Sequence, residues 1–120
     1  MNSVQMKNQA GSFVAPDDVN FKAAAANADW SKTFYQVLTD QPGKDSWPLT
    51  GATFILMHKA QDKPVQATTA LKFFDWVYAN GDKAAADLEY VPLPDSLKAL
   101  VRKQWAAEIK DAAGKAVALK

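Results

Sequence analysis

From Trp47 to Met57 the chain carries no charged residue, and within that stretch Phe54-Ile55-Leu56-Met57 is apolar at every position. Apolar side chains at successive positions point to both faces of a strand, so the pattern predicts a strand over Ala52–His58 covered on both sides, as central strands of α/β sheets are. Trp47-Pro48 ends the preceding turn, and Thr50-Gly51-Ala52-Thr53 leads in.

The rest of the chain supplies elements to flank such a strand. Val4-Gln5-Met6-Lys7 and Phe13-Val14, separated by Ala10-Gly11-Ser12, predict a strand-turn-strand opening. Pro16 suits a first helical turn, and Asp17 and Asp18 place negative charge where the helix dipole is positive, so a helix is expected over 16–27 with Val19, Phe21 and several alanines inward. From Trp30 to Leu38 the run Phe34-Tyr35-Gln36-Val37-Leu38 favours a strand or extended segment, with an irregular stretch as the alternative.

A helix from Pro64 should bury Ala67, Ala70, Leu71, Phe74, Val77 and Tyr78, and Gly81 should close it in a left-handed conformation. A short helix over Lys83–Tyr90 follows. After Val91-Pro92-Leu93-Pro94, a last helix capped by Asp95 or Ser96 should bury Leu97, Leu100, Val101, Trp105 and Ile109, with Gly114 ending it.

The 120 residues fit one ordinary domain. With 48% hydrophobic and 22% charged residues the chain has a globular composition. Fourteen basic residues against 13 acidic ones leave a formal +1 without a basic run, which argues against nucleic acid as a partner. The absence of cysteine excludes disulfides, a thiolate nucleophile and Cys-based metal sites. No apolar run approaches the roughly 20 residues needed to cross a bilayer. No signal peptide is read after Met1, so the sequence as written is expected to stay where it is made.

No catalytic, ligand-binding or metal-ligating residue emerges. His58 is the single histidine, short of the ligand set or base-and-nucleophile group that chemistry requires, and is read as a boundary residue with a structural hydrogen bond. Asp17 and Asp18, adjacent on a helix, point about 100° apart and suit capping better than acid–base work. Thr50-Gly51-Ala52-Thr53 lacks a helix start directly after it and reads as a hinge or strand entry, not an anion loop. Phe73, Phe74, Trp76 and Tyr78 could form a stacking platform but fit a core role better. Trp30 and Trp47 have no evident role from sequence.

Several separated blocks carry a family resemblance: Ala28-Asp29-Trp30-Ser31-Lys32-Thr33-Phe34, Trp47-Pro48-Leu49-Thr50, Thr53 through Lys59, Leu71-Lys72-Phe73-Phe74-Asp75-Trp76 and Tyr90-Val91-Pro92-Leu93-Pro94-Asp95-Ser96. In this order they resemble the C-terminal portion of the periplasmic phosphate-binding proteins that serve an ABC importer. The resemblance implies a truncated, partial periplasmic-binding-protein-like α/β fold of short strands and about four helices. Residues 1–48 would correspond to part of the second lobe, and 49–120 to the C-terminal part of the first. It further implies a non-enzymatic parent in the periplasm, with inorganic phosphate and an ABC permease as partners and no cofactor.

The family's phosphate ligands, including a Ser-Gly-Thr loop, lie in segments preceding this one, and none transfers to a numbered position here. Arg102, the sole arginine, matches no binding motif and is expected on the surface or in packing. A piece of such a fold lacks partner strands, and exposed apolar surface around Phe54–Met57 and the aromatic helix is expected, with self-association or element exchange to cover it. The alternative expectation is a stand-alone structural module that self-associates.

Overall fold

A computed structural model describes residues 2–117 and forms a mixed α/β structure with four helices and short strands among the described residues. It divides into two units: one runs to Ile55 and takes in Val91–Pro94, and the other holds Leu56–Tyr90 and the residues from Asp95 onward.

The first unit opens with the expected hairpin. β1 (Met6–Lys7) pairs antiparallel with β2 (Phe13–Val14), and Gly11, at φ 83°, makes the turn with its amide donating to the Asn8 carbonyl. α1 (Asp18–Asn27) begins two residues later than predicted and leaves Pro16 ahead of the helix, because the Asp17 side chain accepts from the Asn20 amide at 2.9 Å and satisfies a first-turn donor as its cap. Its inward face is narrower than predicted. Ala24 and Ala25 are buried and Phe21 half-buried, whereas Val19 faces solvent. Phe21 meets the buried Trp47 edge-on at 6.1 Å between ring centres.

The segment from Trp30 to Leu38 is irregular, with the chain brought back by a single antiparallel bridge between Thr39 and Leu49. A small core of Ala25, Ala28 and Leu38, backed by Trp30 and Ala52, completes this unit.

The predicted strand over Ala52–His58 does not form. Gly51–His58 has no regular secondary structure, and Phe54, Ile55 and Leu56 are exposed, Leu56 by 93%. A strand exists only where its amides and carbonyls meet a neighbour, and among the described residues no strand lies beside this segment. The expectation of uncovered apolar surface here holds, while that of burial on both faces fails for the same reason.

The second unit is built on α2 (Pro64–Asn80), α3 (Asp82–Asp87) and α4 (Asp95–Glu108), with β3 (Ala60–Gln61) parallel to β4 (Lys110–Asp111). Leu71 is 0% exposed at the centre of a core with Ala67, Ile109 and Val117, against which Met57 and Trp105 pack. The inward face predicted for α2 is the one observed, each of its six residues being buried or half-buried.

Gly81 does end α2, but not in the left-handed region. Its φ is −86°, and glycine is required because a Cβ there would lie 2.7 Å from the Val77 carbonyl oxygen, which accepts the Gly81 amide. α3 stops at Asp87, short of the predicted Tyr90, and Glu89 takes the left-handed conformation, at φ 62°.

α4 starts at Asp95, so Asp95 and Ser96 lie in its first turn rather than ahead of it. Leu100 is exposed, and the buried position beside Leu97 is Lys98. Gly114 does not close α4. After Glu108 the chain makes a tight reversal, with Lys110 bridged to Ala116 and the Val117 amide donating to the Ile109 carbonyl, and Gly114 at φ 78° sits in that turn.

Candidate functional site

The most concentrated polar chemistry lies where three helix ends of the second unit meet. The last four carbonyls of an α-helix lack intrahelical partners. Tyr78 supplies one of these at the end of α2, Asp82 stands in the first turn of α3 and Asp95 in the first turn of α4. Into this ring of oxygens Lys98, only 3% exposed, sends its ammonium. Nζ lies 2.7 Å from both Asp82 carboxylate oxygens, 3.2 Å from the Tyr78 carbonyl and 3.5 Å from Asp95 Oδ1.

Burying an ammonium is costly unless it is paired and hydrogen-bonded, and this one is both. Its acceptors are the Asp82 carboxylate and the Tyr78 carbonyl, with Asp95 a longer ionic partner. The cluster ties helix ends together.

One turn further along α4, Arg102 donates from Nε to Asp75 Oδ1 at 2.6 Å and from Nη2 to the Asp75 carbonyl at 3.4 Å. Its guanidinium lies 5.7 Å from the centre of the Tyr78 ring, which stacks on Trp105 at 5.5 Å with only 6° between planes. Burial pushes the Tyr78 hydroxyl above the ordinary phenol range, opposed by the positive charge of Arg102. Arg102 thus has the packing role expected of it, half-buried against Asp75 and Tyr78. Lys59 pairs with Glu108 at the far end of α4, and the hydrogen bond from Lys59 holds the Glu108 carboxyl below its usual range.

The other residues weighed from sequence do not converge. Asp17 caps α1, and Asp18 stands exposed in its first turn. His58 is exposed rather than a boundary residue, and the hydrogen bond it takes part in uses its backbone carbonyl, which accepts from Gln61 Nε2. It lines an open depression of about 250 Å³ with Ala60, Gln61, Asp62 and Lys63, whose side chains are turned to solvent or half-exposed. Thr50 is buried with its hydroxyl donating to the Trp47 carbonyl at 3.0 Å, and so is committed to a turn. Among the described residues no group of three or more His, Asp or Glu side chains is placed to hold a metal ion.

Phe74 and Tyr78, whose shared face carried the core reading, join the inner side of α2, whereas Phe73 and Trp76 face solvent and have no core role, in line with the exposed apolar surface expected on this helix. Trp30 and Trp47 now have roles: Trp30 Nε1 donates to the Ala25 carbonyl at 2.7 Å, satisfying a last-turn acceptor of α1, and Trp47 packs on Phe21. Sequence reasoning passed over Lys98 and Asn8. The Asp95-to-Lys98 spacing of three on a helix signalled the ion pair but not its burial. Asn8, 6% exposed, donates from Nδ2 to the carbonyls of Gly43, Lys44 and Ser46 at 3.2, 2.8 and 3.2 Å, and accepts the Ser12 amide. No local pattern announces a contact across 35 residues.

No family model matches the chain. Curated proteins do. Over 112 residues it is 43% identical to the phosphate-binding protein PstS of Pasteurella multocida, which covers 92% of this chain and 33% of that protein. The protein of the same name from Haemophilus influenzae is 40% identical over 109 residues, 89% of this chain and 33% of its own length. That from Xylella fastidiosa is 43% identical over 112 residues, 92% of this chain and 31% of its own. The chain spans about a third of the length of these relatives. Over about nine-tenths of its own length the chain is similar to that third of the proteins named phosphate-binding protein PstS.

Proposed function

We propose that this chain corresponds to the C-terminal part of a periplasmic phosphate-binding protein, a non-enzymatic carrier whose whole form encloses inorganic phosphate between two lobes and delivers it to an ABC permease. The observation that carries this reading is the 40–43% identity to proteins named for phosphate binding, sustained across about nine-tenths of the chain. In this reading the fold is part of a periplasmic-binding-protein fold, residues 1–48 belonging to the second lobe and 49–120 to the first.

We further infer that these residues alone hold phosphate weakly or not at all. Anion sites of this kind need several amides, hydroxyls or guanidinium groups aimed at one point. Here the guanidinium of Arg102 is spent on Asp75 and the Thr50 hydroxyl on Trp47. Titration calorimetry with inorganic phosphate tests this: no measurable heat of binding is expected, and micromolar or tighter affinity would overturn it.

A second reading, of a self-associating structural module, is favoured by one observation. Leu56, Val65, Phe73 and Trp76 all stand exposed in the second unit, an amount of bare apolar surface that soluble proteins commonly cover. Light scattering behind size exclusion is expected to give a mass above the 13.1 kDa monomer. A monomer that persists at high protein concentration counts against it.

A further inference from the structure

We draw no further inference here: the strongest candidate, the exposed apolar stripe of Val65, Phe73 and Trp76 on α2, is already used in the self-association reading, and nothing in the structure shows what else covers it.

Discussion

The two units are held by different physics. In the first, side-chain amides and hydroxyls tie loops together: Asn8 gathers three carbonyls of the 43–46 turn, Ser46 donates to the Pro42 carbonyl at 2.6 Å, and Asn27 donates to Ser46 Oγ at 3.1 Å. In the second, an apolar core around Leu71 is flanked by ion pairs along α4. Apolar burial is non-directional and tolerates changes of angle, whereas a polar network works only with every partner in place. The first unit therefore depends on geometry, the second on volume.

Glycine shows the same contrast. Gly43 sits at φ 105° with a would-be Cβ 2.3 Å from Asn27 Nδ2, so its necessity comes from the polar network and from its own backbone. Gly81 has an ordinary φ and is required only because the helix end closes so tightly on Val77.

The contrast can be tested by substitution. Leu71→Ala removes the central side chain of the second core and should cost about 2–5 kcal/mol in urea unfolding. Hydrogen exchange should accelerate in α2 and α4 while the Ser12 and Ser46 amides keep their protection. Acceleration spread evenly over both units would break the contrast.

Asn8→Ala is expected to cost about 1–3 kcal/mol, since it strips donors from carbonyls of the 43–46 turn and an acceptor from the Ser12 amide. Asn8→Asp, nearly identical in volume, should be no better tolerated, because it turns a carboxylate oxygen toward those carbonyls. If Asn8→Asp were neutral, volume rather than hydrogen bonding would govern this unit too.

The smallest effect expected is with pH. Asp29, in the first unit, is held below the usual carboxylate range, first by the Ser31 hydroxyl and then by the Ser31 amide, and Glu108 in the second is held down by Lys59. A carboxyl whose folded value is depressed contributes stability above its unfolded value and loses it as pH falls through the folded one, so both units should weaken slightly in acid. Tyr78 is raised by burial, so its contribution is complete below the ordinary phenol value of about 10 and fades as pH rises through the folded one. The second unit should therefore show an alkaline arm, readable in the emission of Trp105, on which Tyr78 stacks.

Much of the local structure was legible in the chain. The cap at Asp17, the inner face of α2 and its stop at Gly81 follow from rules spanning a few residues. The strand over Ala52–His58 was misread because apolarity reports what a segment would bury, not whether a neighbour is present to pair with it. Asn8 and Lys98 escaped for a related reason: polar residues at the centre of a network have nothing in their own neighbourhood that distinguishes them from surface ones.

The four tryptophans fall two to each unit, with Trp47 sealed under Phe21 and Trp76 open to water. The protein thereby carries built-in optical probes of opposite character. A soluble quencher should extinguish Trp76 emission readily and leave Trp47 glowing until the hairpin-and-loop unit opens, so one fluorescence titration can follow the two halves separately.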